Sequence, residues 1–99
     1  MFIRKVILAD GIEYDLDGIR SITEIATLLG ADSLYIVDLD DGIHIMLFND
    51  EAYSLKLPIN YKATELCRLK DTTKHYTIQG DVAIIPNRDL DRGTAVWTP

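Results

Sequence analysis

Lysine and arginine are scarce in this chain: ten against sixteen aspartates and glutamates, for a formal net charge of −6. A domain that grips DNA or RNA draws much of its affinity from counterions released by a basic stripe. The basic residues here are scattered and outnumbered, so direct nucleic-acid binding is not expected. Cysteine is scarcer still. Cys67 stands alone, which excludes an intrachain disulfide and suits a reducing cytoplasm. Long apolar runs are missing as well. Val6-Ile7-Leu8-Ala9, behind Arg4-Lys5, is too short for a signal peptide or a membrane span, so a soluble cytoplasmic protein without a membrane partner is expected. The chain also lacks a Gly-rich phosphate cradle, a Gly-x-Ser-x-Gly elbow and a His-Glu-x-x-His pair. No internal repeat, heptad or low-complexity segment is present.

What is present reads as one globular unit. Ninety-nine residues with 47% apolar and 26% charged content suffice for a core without covalent staples. A single domain is expected over 1–99, with a core to residue 85 and a turn-rich tail, 86–99, whose Trp97 docks back. Phe2 to Ala9 and the alternating Ile12, Tyr14 and Leu16 flank Asp10-Gly11, the pair that a type I′ hairpin turn favours. Ser21-Ile22-Thr23-Glu24 fits a capping box, and Ile22, Ile25, Ala26 and Leu29 follow at helical spacing up to Gly30. Leu34–Leu39 and Ile43–Phe48 form a second hairpin around Asp41-Gly42. Ile43, Ile45 and Leu47 fall on one face of it and His44, Met46 and Phe48 on the other, which predicts a central hairpin covered on both sides. Asn60 can cap a short helix from Tyr61 to about Leu69 that buries Ala63, Leu66 and Cys67. Tyr76–Ile78 and Val82–Ile85, with Gly80-Asp81 as a bend, read as a C-terminal strand pair or one broken strand. The predicted class is α+β: a mainly antiparallel sheet built from two Asp-Gly hairpins and that strand pair, with two short helices.

The chemistry-bearing candidates mostly have simpler explanations. Asp38-Leu39-Asp40-Asp41-Gly42 imitates a calcium loop, but its glycine stands fifth where an EF-hand needs it sixth, and position twelve is Asn49 instead of a glutamate. A hairpin accounts for the same residues, so no metal is expected. Cys67 with His44 or His75 lacks the positive setting that makes a thiolate reactive, and a cysteine beside Leu66 is usually a small buried hydrophobe. Asp50 and Glu51 are adjacent carboxylates with no apolar pocket to raise either pKa. No catalytic residue and no cofactor is assigned. What remains is the polar segment Asn49 to Asn60. In one reading Asn49 closes a strand, Pro58 stiffens the approach and Asn60 caps a helix. In the other, Asn49, Glu51, Tyr53, Lys56, Asn60 and Lys62 line a polar ligand site walled by Phe48, Tyr53 and Tyr61.

Four stretches of the chain carry a resemblance. Leu34 to Gly42, then Phe48-Asn49-Asp50-Glu51, then Leu57-Pro58-Ile59-Asn60 with Ala63-Thr64, and later Ile78-Gln79-Gly80-Asp81-Val82, resemble the family catalogued as domain of unknown function 3846. The likeness runs from about Leu28 to Ile85. Where that family reads Asn-Glu-Glu-Gly, this chain has Asn49-Asp50-Glu51-Ala52, so the turn lacks its glycine. The resemblance implies a small accessory protein of a phage or mobile element, acting in the cytoplasm of a bacterial host, and supplies no reaction.

The expected function is accordingly non-enzymatic: stoichiometric binding, with counter-defence by sequestering a small polar or nucleotide-like ligand as the first reading. The alternative is an acidic inhibitor that mimics nucleic acid and occupies a basic groove on a host defence or regulatory protein, using groups such as Asp15, Asp17, Asp38, Asp40, Asp41, Asp50 and Glu51. Two apolar strand faces with an open edge further suggest a homodimer or larger homo-oligomer.

Overall fold

Residues 44–47 are buried on both faces of their strand, and that decides the architecture. The computed structural model describes residues 2–70 and 77–91. In chain order it comprises β1 (Lys5–Ile7), β2 (Glu13–Asp15), α1 (Ile22–Leu29), β3 (Leu34–Asp38), β4 (His44–Asn49), α2 (Tyr61–Lys70), β5 (Val82–Pro86) and a 3-10 turn (Asn87–Asp91). The strands form one antiparallel sheet in the order β2-β1-β5-β4-β3. The predicted α+β class is thus observed. Ile45, Leu47, Ala83 and Ile85 face α1 through Ile22 and Ile25. Met46, Val82, Ile84 and Ile7 face α2 through Ala63 and Cys67. Helices on opposite faces give three layers with two apolar interfaces.

Local chemistry explains the element ends. Ser21 Oγ accepts from the Glu24 amide at 3.1 Å and Glu24 Oε1 accepts from the Ser21 amide at 3.0 Å, which satisfies two otherwise orphaned donors. Gly30 closes α1 in the left-handed conformation, φ 66°. Both hairpins form, but neither turn is type I′. That turn needs positive φ at both central residues, and Lys56 is the only non-glycine residue among those described with positive φ. Asp10 instead accepts from the Ile12 amide, and Asp41 accepts from the amides of Ile43 and His44. These aspartates hold ordinary conformations and leave the positive φ to Gly11 and Gly42. The resulting loops are one or two residues longer than expected, closed by Leu8 N–H to Ile12 O and by Leu39 N–H to His44 O.

Further expectations need correction. Of the C-terminal pair the described residues show β5 alone, with Gln79 meeting Ile59 in an isolated bridge; Tyr76, His75 and Trp97 lie outside the described residues. The boundary at residue 85 does not hold either. Pro86 belongs to β5, and Asp89 in the following turn is buried and accepts two bonds from the Arg4 guanidinium, at 2.9 and 3.1 Å. Ile12 and Tyr14, on the alternating stretch of the first hairpin, are both exposed. β2 is an edge strand, and α1 packs chiefly over β4 and β5. The second hairpin, expected to be central, lies at one end of the sheet: β4 is covered on both faces, whereas β3 is an edge strand with Tyr35 half-exposed.

Candidate functional site

The segment after β4 folds back on itself as a capped helical turn. Asn49 is buried and its Oδ1 accepts from the Glu51 amide at 2.9 Å. Leu57 N–H reaches Ala52 O and Lys56 N–H reaches Tyr53 O, the paired bonds of a Schellman closure with Lys56 in the left-handed position, φ 54°. Ala52, where the resembled family has glycine, is buried with negative φ, so its methyl costs nothing there. Lys56 does bear a cost, because a side chain in that conformation is disfavoured by roughly 1–2 kcal/mol. Lys56→Gly is therefore expected to stabilise the fold by about 0.5–1 kcal/mol after the added freedom of the unfolded chain is subtracted. A urea midpoint that stays put or falls would contradict this cap.

Asn60 is the most constrained polar residue described. Its side chain is fully buried, Oδ1 accepts from the Ala63 amide at 3.1 Å, and Nδ2 donates to Ile7 O at 3.0 Å and Gly80 O at 2.9 Å. Both amide hydrogens are thus consumed. Thr64 Oγ1 donates to Asn60 O and accepts from the Ile78 amide, both at 2.9 Å. Gly80 N–H donates to Pro58 O, Gln79 Nε2 to Leu57 O, and the Ala9 amide to Asp81 Oδ1. The Leu-Pro-x-Asn, Ala-Thr and Gly-Asp motifs are therefore one structural knot joining the end of β1, the start of α2 and the approach to β5. Sequence reasoning assigned the cap to Asn60 but missed the knot, whose signal was the polar run Ile78-Gln79-Gly80-Asp81 beside it.

The six residues proposed to line a ligand site do not converge. Asn49 and Asn60 point inward and are spent on backbone groups. Glu51, Tyr53 and Lys56 are exposed on the turn. Lys62 reaches the first hairpin instead, donating to Gly11 O at 2.8 Å and Glu13 Oε2 at 2.9 Å. The walls do not assemble: Phe48 stacks on Tyr35 with ring centroids 5.4 Å apart, while Tyr53 and Tyr61 stand in solvent. Among the described residues, shallow hollows of about 350, 380 and 340 Å³ open on the surface, and none of these is lined by any of the six. The physical reason is local: the polar groups of this segment satisfy its own backbone and neighbouring strands before any ligand arrives.

Electrostatics divide the molecule. Glu13 lies between Lys5 Nζ and Lys62 Nζ, each at 2.9 Å, and their hydrogen bonds lower its pKa from an ordinary 4.5 to about 2. Asp41 is lowered to about 2 chiefly by the amide and ring of His44. A carboxylate with a depressed folded pKa stabilises the fold above its unfolded value and loses that contribution as pH falls through the folded one. Stability contributed by Glu13 is thus expected to vanish between 4.5 and about 2. Glu13→Gln should flatten the urea midpoint across that window, and an unchanged acid slope would contradict the assignment.

His44 is buried, with Nδ1 2.6 Å from Asp41 Oδ2 and Nε2 accepting from the Ile3 amide at 2.9 Å. An accepting Nε2 places the ring hydrogen on Nδ1, so both nitrogens are engaged. Cys67 is buried with Sγ 3.8 Å from Met46 Sδ. Among the described residues no cluster of three or more His, Cys, Asp or Glu is placed to hold a metal ion, and no helix is long and apolar enough to cross a membrane.

The charge distribution has one pole. Residues 21–55 hold seven carboxylates and no lysine or arginine, whereas the remainder holds nine carboxylates against ten basic residues. That acidic stretch builds α1, β3, β4 and the following turn, so it occupies one side of the sheet, ending at the β3 edge. Asp32, Asp38, Asp40, Asp50 and Glu51 are exposed there and form no ion pair among the described residues. Comparison with known family models, curated proteins and solved structures finds no match, so the resemblance noted in the motifs rests on those motifs alone.

Proposed function

We propose that this chain is a non-enzymatic binding protein whose acidic β3–β4 side docks onto a basic surface of another protein. The observation behind this reading is the segregation of net charge onto residues 21–55, with five exposed carboxylates there that no lysine or arginine balances. Unpaired charges of one sign steer an oppositely charged partner and set its orientation more than they add raw affinity. A small-ligand function has less support, because the polar segment that suggested it satisfies its own hydrogen bonds. In the phage or mobile-element setting that the motifs imply, the partner is a host defence or regulatory protein, and the acidic side stands in for a phosphate backbone.

The test is retention on the immobilised chain at low and high salt. Host proteins retained at about 0.05 M salt are expected to be basic and to elute by about 0.5 M, where the screening length falls to a few ångströms. A variant with Asp38→Asn, Asp40→Asn, Asp50→Asn and Glu51→Gln should retain far less. Retention indifferent to both salt and these substitutions would end this reading.

A further inference from the structure

Among the described residues β3 ends the sheet with an open edge. Among the described residues it pairs with β4 and with no strand beyond. The bonds Asp50 N–H to Ser33 O and Leu39 N–H to His44 O fix the alternation. Ser33, Tyr35, Val37 and Leu39 bond toward β4, so Leu34, Ile36 and Asp38 direct their backbone N–H and C=O groups away from the sheet. The strand runs in unbroken register over its five residues and contains neither proline nor lysine, two devices that natural edges use against pairing. β2, the other edge, has only three residues, and its Glu13 is already held by Lys5 and Lys62.

Charge selects what fits this edge. Asp32, Asp50 and Glu51 stand at one end of β3, and Asp38 and Asp40 at the other. A second copy pairing antiparallel about Ile36 would set Asp32 opposite Asp40 at both ends, and like charges placed opposite destabilise a ladder. Self-pairing is disfavoured by the same carboxylates that favour a cationic strand. Between the acidic ends the edge is apolar: Tyr35, half-exposed and stacked on Phe48, lies on the α2 face with Val37, and Ile36 lies on the α1 face.

We infer that the β3 edge accepts an extended segment of a partner protein as a sixth strand, one with lysine or arginine at both ends and β-branched residues between. Main-chain bonds to Leu34, Ile36 and Asp38 supply the docking, and the flanking carboxylates supply selectivity for cations. This inference rests on the acidic-side reading above and names the element through which it acts.

The probe is the synthetic peptide Lys-Lys-Val-Thr-Val-Lys-Lys, titrated into the ¹⁵N-labelled full chain at low salt, with Glu-Glu-Val-Thr-Val-Glu-Glu as the control. The expected result is binding of the lysine peptide alone, with amide exchange at Leu34, Ile36 and Asp38 slowed about tenfold or more and β2 amides unaffected. Asp38→Pro removes an outward-facing donor, and proline is tolerated on such an edge. It should weaken binding about tenfold relative to Asp38→Asn, which removes the charge alone. Should Asp38→Pro unfold the chain, the exchange pattern of the unaltered protein decides by itself. Binding with shifts elsewhere, or equal affinity of the two variants when both are folded, overturns strand addition and leaves the acidic-side reading standing. No binding of the lysine peptide at low salt overturns both.

Discussion

Asn60→Ala is expected to lower the unfolding free energy by about 3–5 kcal/mol, the largest single-residue effect in the molecule. The side chain is fully buried and makes three hydrogen bonds to the main chain. Truncation removes a helix cap, worth about 1 kcal/mol, and leaves Ile7 O and Gly80 O without their donor in a dry site, each costing about 1–3 kcal/mol before any relaxation. Against a total of roughly 5–15 kcal/mol for a domain of this class, much of the folded population is at risk. Asn60→Asp sharpens the test. It preserves the shape and the acceptor toward Ala63 but turns an acceptor toward two carbonyls, so it should destabilise at least as much as alanine. Asn87→Ala is the control, because Asn87 is exposed and its contact to Gly42 O is a long 3.5 Å. Urea unfolding of the three variants checks the ranking; an Asn60→Asp protein as stable as the parent would refute the knot.

The second large effect is at Ile25, where alanine should cost about 2–5 kcal/mol. α1 has eight residues, too short to persist alone in water, and its side chain at Ile25 is fully buried against β4 and β5. Loss of this contact removes much of what holds the helix on the sheet. Leu28 sits on the same helix but is 41% exposed, so Leu28→Ala should change stability by less than about 1 kcal/mol. Circular dichroism and urea midpoints on the two variants distinguish burial from helix propensity, since both substitutions install the same good helix former. Equal effects would mean that α1 is held by propensity and not by packing.

Elements governed by near neighbours were legible from the chain. The Ser21–Glu24 box, the Gly30 cap and the two faces of β4 all follow from spacing within a few residues, and the structure shows each of them. The site was less legible. Asn60 reads as a cap because Ala63 lies three positions on, but its other partners, Ile7 and Gly80, are 53 and 20 positions away. Lys62 seemed to belong to the nearby polar loop, yet its ammonium reaches Glu13, 49 positions back. Polar density in a segment does not distinguish a ligand site from a knot, because the same amides and carboxylates satisfy either.

The order of residues alone therefore determined the helix ends, the two hairpins, the two-faced central strand and the surplus of acid, all effects of local geometry or composition. Only the folded chain decided that β5 would enter between β1 and β4, that Asn60 would be spent on the backbone, and that the unbalanced acids would gather beside one open edge. Those outcomes depend on which distant segments meet, and the meeting is set by burying both faces of the sheet at once, a condition no short window of sequence contains.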